Sequence, residues 1–309
     1  PYANNAPYAA TDEEKNYNAG TYTLDLFNYQ YPQANNPEKW LRMNTVSRYS
    51  PNGNALEEEN ILGIKSCAKF GYNKVLPYAI AQNCAYDNFL FESYENTYVN
   101  DRLEDGRQLI TDEGVVTNEY AHSGIQSLRL KYTNQGLSLV KMPITEQLLD
   151  KGLSTKVWVK SSGASKQIDG HLRLNVVEGA GNDPLTSSPF QRIAQTGEWT
   201  LFEAKVHDLS SVLTLGETYD FRLYFDFGNA GTHQVWIDDV RMQPMDAQAT
   251  CYVYDVNSLR LITSFDDQHF GLYYQYNAEG QLVRQLIETE RGFKTVQEAQ
   301  YNTPKVNRQ

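Results

Sequence analysis

Between residues 87 and 246 apolar and polar side chains take turns along short segments. Leu172-Arg-Leu-Asn-Val-Val177 and Phe221-Arg-Leu-Tyr-Phe-Asp-Phe227 place an apolar residue at every second position, the period of a strand with one face on a core. Eight segments carry this rhythm: Asn88–Tyr94, Leu128–Tyr132, Gly136–Lys141, Ser154–Lys160, Gly170–Val177, Thr200–His207, Tyr219–Phe227 and Gln234–Met242. Gly, Ser, Asn and Asp separate them. That many short strands with turn signals between them predicts an all-β antiparallel sandwich.

The flanks read differently. Residues 1–86 are rich in Asn, Tyr, Pro and Ala, which predicts an irregular N-terminal region with short strands. Pro1–Ala19 is polar and loosely ordered in this reading, and Thr21–Tyr29 and Met43–Ser50 alternate as strands. Pro51-Asn-Gly-Asn54 marks a turn. The acidic run Ala55-Leu-Glu-Glu-Glu-Asn-Ile-Leu-Gly63 suits one or two helical turns, because carboxylates favour a helix N-terminus. Lys74–Ala81 is apolar but holds Pro77, so it reads as a core-facing segment. From residue 247 to 309, Tyr254-Asp-x-x-Ser258 is echoed about 22 residues later by Tyr276-Asn-x-x-Gly280. This strand–turn–strand repeat predicts two hairpins in a small antiparallel sheet. Glu288–Glu298 ends as a strand or a short helix.

Composition narrows the function classes. The chain carries a net charge of −11 without a Lys/Arg cluster, which argues against nucleic acid and against an anionic membrane surface. No apolar run approaches the roughly 20 residues of a membrane span. Cys67, Cys84 and Cys251 have no metal-ligand spacing; Cys67 and Cys84 are able to pair, with buried free thiols the alternative. No Asn-x-Ser/Thr sequon is present. The first residues, Pro-Tyr-Ala-Asn-Asn, show neither a Met nor a leader, so the chain is expected to be a C-terminal piece of something longer. The five histidines lack His-x-x-x-His spacing, and no Gly-x-Ser-x-Gly elbow or phosphate loop occurs. These features argue against an enzyme.

Three motifs carry a family resemblance. Phe89-Leu-Phe-Glu-Ser-Tyr-Glu95, Ala121-His-Ser-Gly-Ile-Gln-Ser-Leu-Arg-Leu130 and Val235-Trp-Ile-Asp-Asp-Val-Arg241 resemble, in order and spacing, the opening strand, turn and closing strand of jelly-roll carbohydrate-binding modules. The resemblance implies a jelly-roll sandwich over 87–246 and a glycan or cell-surface polysaccharide as partner. It also implies one structural Ca2+ held by Glu92 and Asp239 with carbonyls of the Ser123-Gly124 turn, since calcium takes several hard oxygen ligands. Capping of a strand end by Asp238 and Asp239 is the alternative. A sugar site needs aromatic faces and polar partners on one concave sheet or loop rim. Among the chain's 22 Tyr, 12 Phe and 4 Trp, Trp158 and Tyr224, with His171 and Arg173, lie on candidate middle strands. Trp199 follows the Gly197 turn, and packing is the alternative for each. Trp236 is expected in the core.

The C-terminal pair resembles the tyrosine-aspartate repeats of bacterial Rhs-type proteins, with Ser258 for the glycine in one copy and Asn277 for the aspartate in the other. The order of jelly roll and tail is similar to the C-terminal end of large secreted bacterial surface proteins, which implies an extracellular or cell-surface location. Two function classes remain open: a non-catalytic glycan-binding or adhesion module, and a scaffold component that assembles with other surface or secretion-apparatus proteins.

Overall fold

Alternation along the chain is realised as strands almost throughout. The computed structural model describes residues 2–4, 28–35, 40–95, 114–130, 136–162, 168, 170–179, 183–226 and 234–301. Most of the expected strand Thr21–Tyr29, and Pro1–Ala19 beyond residues 2–4, lie outside the described residues. The chain divides into two units, residues 1–65 and 66–309.

In the first unit β1 (Tyr2–Asn4) pairs with β2 (Trp40–Arg42), and β3 (Asn44–Tyr49) with β4 (Ala55–Asn60), both antiparallel. The segment expected to start a helix is β4. Its acidic side chains alternate across a strand and find partners there: Glu57 is buried, accepting from Ser47 Oγ at 2.8 Å and from Lys65 Nζ at 3.1 Å, and Glu58 accepts from Asn44 at 2.9 Å. Cross-strand pairing outweighs the weak helix-terminus preference.

The second unit begins with β5 (Lys65–Gly71), β6 (Leu76–Gln82) and β7 (Leu90–Glu92), followed by β8 (Gly114–Thr117), β9 (Ser127–Leu130) and β10 (Gly136–Pro143). The short helix α1 (Glu146–Lys151) is capped by Thr145, whose hydroxyl accepts from Leu148 N–H, and is ended by Gly152 at φ 81°. Then come β11 (Leu153–Ser162), β12 (Leu172–Val177), β13 (Thr186–Pro189), β14 (Gln191–Thr196), β15 (Trp199–Val206), β16 (Thr218–Phe225) and β17 (Gln234–Pro244). The last strands are β18 (Gln248–Tyr254), β19 (Leu261–Phe265), β20 (Gly271–Tyr276), β21 (Leu282–Thr289) and β22 (Gly292–Glu298).

The protein is all-β, and its centre is an antiparallel sandwich. A small sheet, in the order β10-β16-β12-β13, faces a large sheet, β14-β15-β11-β17-β9-β8, with β7 also on β17. Each of the eight expected segments contributes a strand. Leu172, Leu174 and Val176 meet Phe221, Leu223 and Phe225 from one side, and Val157, Val159, Ile237, Val240 and Met242 from the other. These side chains are almost fully enclosed, so each contributes roughly 1.5–3 kcal/mol of burial.

The remaining strands form a meander, β22-β21-β20-β19-β18-β6-β5. β6 therefore pairs with β18, from the far end of the chain, although residue 86 was the expected boundary. The meander's turns recur every eleven residues. Asp255, Asp266 and Asn277 each follow an aromatic residue at a strand end, and each side chain accepts from a backbone N–H of its turn, at 2.6 Å from Ser258, 3.1 Å from Phe270 and 2.8 Å from Gln281. The 22-residue repeat in the sequence spans two such units.

Candidate ligand-binding face

Because partners in an antiparallel register share a face, the outward side of the small sheet follows from its pairings. Arg173 lies opposite Tyr224, Asn175 opposite both Arg222 and Ser187, Ser138 opposite Arg222, and Lys141 opposite Asp220. Local bonds fix these groups. Arg173 Nε donates to Ser187 Oγ at 2.7 Å, and Ser187 Oγ donates to Asn175 Oδ1 at 2.6 Å. Buried Asp220 accepts from Arg222 Nε at 2.9 Å and from Ser138 Oγ at 2.5 Å. Lys141 is exposed, and Arg173, Asn175, Arg222 and Tyr224 are half-buried. His171 has the same parity just before β12, with its ring Nδ1 bonded to the Asp226 carbonyl. Three of the four residues expected at a ligand site, His171, Arg173 and Tyr224, thus come together on one face. A tyrosine ring beside a fixed guanidinium and an amide can stack on an apolar ligand face and donate to its oxygens.

Trp158 is elsewhere. It lies on the outward side of the large sheet and has no exposed area. Its Nε1–H donates to the His269 carbonyl at 3.2 Å, and its ring stacks on His122 with centroids 3.9 Å apart. The meander covers this side. Arg241 donates to the carbonyls of Asp266 and Asp267, and Lys156 Nζ donates to the latter at 3.0 Å. Trp199 and Trp236 join Trp158, Leu201 and Ala194 there in a second apolar cluster. Trp236 is buried as expected, but outside the sandwich core.

A buried polar node sits beside that cluster. Asp239 has φ 48°, at a bulge where β17 passes from pairing with β9 to pairing with β7. The extra residue leaves Asp238 and Asp239 in succession without turning either into the sandwich core. Asp238 accepts from the backbone N–H of His122 at 2.8 Å and of Ser123 at 3.3 Å. Asp239 accepts from His122 Nδ1 at 2.8 Å and Ser123 Oγ at 2.6 Å, and His122 Nε2 donates to Glu288 of β21 at 2.9 Å. Burial alone lowers the His122 pKa, but its bonds to Asp239 and Glu288 outweigh that and raise it to about 8. Burial pushes both aspartates up, and His122 and Ser123 pull Asp239 back.

Of the two residues expected to share a calcium ion, Asp239 is at this node and Glu92, on β7, lies opposite Val240, and protein donors engage both. Glu92 accepts from Tyr94 N–H at 2.7 Å, and both Asp239 oxygens have the partners given above. Glu95 holds the turn itself, accepting from Ile125 and Gln126 N–H; burial raises its pKa to about 7 against those bonds. Among the described residues no group of three or more His, Cys, Asp or Glu side chains is placed to hold a metal ion. As arranged, these residues do not fit calcium.

No family model matches the chain, and no curated protein matches it. Among solved structures, the CBM22-1 xylan-binding domain of Paenibacillus barcinonensis Xyn10C is similar at 16% identity and a TM-score of 0.32, covering 50% of this chain and 92% of that one. A cyclase from Fischerella sp. TAU is similar at 11% identity and a TM-score of 0.24, covering 52% of this chain and 87% of its own.

Proposed function

We propose that this chain is a non-catalytic glycan-binding module of a secreted or cell-surface bacterial protein, and that the outward face of the small sheet is its binding surface. The observation that carries the reading is the direct cross-strand placement of Tyr224 and Arg173, with Asn175, Arg222, Ser138 and Ser187 beside them. Sugar rings present C–H faces that stack on tyrosine and hydroxyls that pair with amide, hydroxyl and guanidinium groups. Asp220 is tied to Arg222 and Ser138, so it serves to position Arg222 and not as an acid or base. In the same reading, the hairpins of the meander are a short stretch of tyrosine-aspartate repeat that caps the module. Affinity electrophoresis of the chain through gels holding different polysaccharides tests the proposal. At least one should retard it, and Tyr224→Ala should abolish the retardation. No retardation in any gel would sink the reading.

A second reading, a scaffold role in assembly, rests on the edge of the meander. Among the described residues β22 pairs on one side only, and its Phe293 and Val296 are 54% and 51% exposed. Such an edge suits strand addition by a partner chain. Co-purification of a protein lost on changing β22, with no glycan binding, would favour it.

A further inference from the structure

The charge on the proposed face runs against the charge of the chain. The protein carries −11 overall, yet among the described residues the strands of this face gather three cations, Lys141, Arg173 and Arg222, around the carboxylate of Asp220. That carboxylate already pairs with Arg222. Among the described residues neither Arg173 nor Lys141 has a carboxylate partner, although both sit within a sheet rich in polar groups. Arg173 is held by its Nε bond and a longer contact from Nη2 to the Ser187 carbonyl at 3.4 Å. Its guanidinium is therefore oriented before any ligand arrives, and neither of these two bonds involves Nη1.

We infer that the ligand of this face is an acidic polysaccharide, one whose sugars carry carboxylates, as in a polyuronate. This rests on the glycan-binding reading of the same face. An oriented guanidinium beside a tyrosine ring matches a ring that is apolar on its face and carboxylated at its rim, since the planar fork pairs with a carboxylate through two bonds. Lys141 stands opposite Asp220 and Arg173 opposite Tyr224. The two β16 partners are four residue steps apart, about 13 Å, and β10 and β12 flank β16 with about 10 Å between them, so the two cations stand roughly 16 Å apart. A spacing of that order exceeds a single sugar and fits carboxylates several sugars apart on a polymer.

The test compares polygalacturonate with its fully methyl-esterified form and with neutral xylan, using the intact chain in affinity gels and calorimetry at low and high salt. Binding to polygalacturonate that weakens with salt and disappears on esterification is the expected result. Arg173→Ala and Lys141→Ala should each weaken it about tenfold, as loss of a charge-assisted hydrogen bond does. Lys151→Ala, a cation of α1 away from the face, should leave it unchanged. Equal binding to the esterified or neutral polymers would overturn the charge inference and leave the glycan reading standing. Weakening by Lys151→Ala as large as by Arg173→Ala would also overturn it, by making the attraction non-specific. No binding to any of the three would overturn the charge inference, and the wider panel of polysaccharide gels would then decide the glycan reading.

Discussion

The node that joins the sandwich to the meander makes stability depend on pH in a calculable way. His122 bonds Asp239 of β17 on one side and Glu288 of β21 on the other, and the side chains of both carboxylates have no exposed area. Its pKa is raised from an ordinary value of about 6.5 to about 8. A group with a raised folded-state pKa contributes stability that is fully present below the unfolded value and lost as pH rises through the folded one. His122 therefore supplies about 2 kcal/mol that is present at pH 6 and gone by pH 9. Glu288→Gln keeps an oxygen for Nε2 but removes one of the two charges that favour the imidazolium. It should pull the His122 pKa down and remove about half of that pH-dependent contribution. Urea unfolding followed by tryptophan fluorescence at pH 6, 7, 8 and 9 reads it, with Trp158 stacked on His122 as a local reporter. Titrating groups that do not feel Glu288, Glu95 among them, cancel in the difference between the two proteins. Parallel pH profiles for wild type and Glu288→Gln would refute the reasoning.

Four further outcomes follow from the geometry. Gly124 has φ +65°, and a Cβ there would meet Glu95 Oε1 at 2.3 Å, so Gly124→Ala should cost about 2–4 kcal/mol in the same urea assay. Trp158→Ala should cost about 3–5 kcal/mol without changing glycan affinity per folded molecule, whereas Tyr224→Ala should do the reverse; calorimetry of both variants separates the two roles. Since protein donors already engage both oxygens of Asp239, the melting temperature should not change with a calcium chelator, and a fall of several degrees would contradict that assignment. Cys67, Cys84 and Cys251 are buried free thiols, and burial pushes Cys251 up to about 12. A colorimetric thiol reagent should therefore react with them only on unfolding.

The sequence exposes local periodicity and hides what covers it. Alternation in Leu172–Val177 and Phe221–Phe225 places the sandwich core and, by parity, sets Arg173 and Tyr224 on the opposite side. The same alternation puts Trp158 off the core side of β11, where it reads as a ligand aromatic. Its cover is the Asp266–Phe270 turn, more than a hundred residues later, and no local pattern reports that contact. β8, Gly-Val-Val-Thr, is only four residues long, and β13 and β14 are mostly polar, so all three escape a hydrophobic alternation. The aspartate pair reads as a strand end or a calcium ligand, because the bulge at Asp239 cannot be told from the sequence of a regular strand. His122 carried no signal beyond its place in the Ser-Gly turn motif, since its partners Asp239 and Glu288 come from two other segments. The eleven-residue unit of the meander was legible in Tyr254-Asp255, Phe265-Asp266 and Tyr276-Asn277, once Phe265 is allowed to stand for tyrosine.

The central claim, that the outward face of the small sheet binds glycan, is most directly tested by hydroxyl-radical footprinting of the intact chain with and without a polysaccharide that retards it. Tyr224 should be protected by the polysaccharide, while Phe293 on β22, 54% exposed, should react equally in both samples. Protection of Phe293 with Tyr224 unchanged would place the ligand on the meander edge and contradict the account.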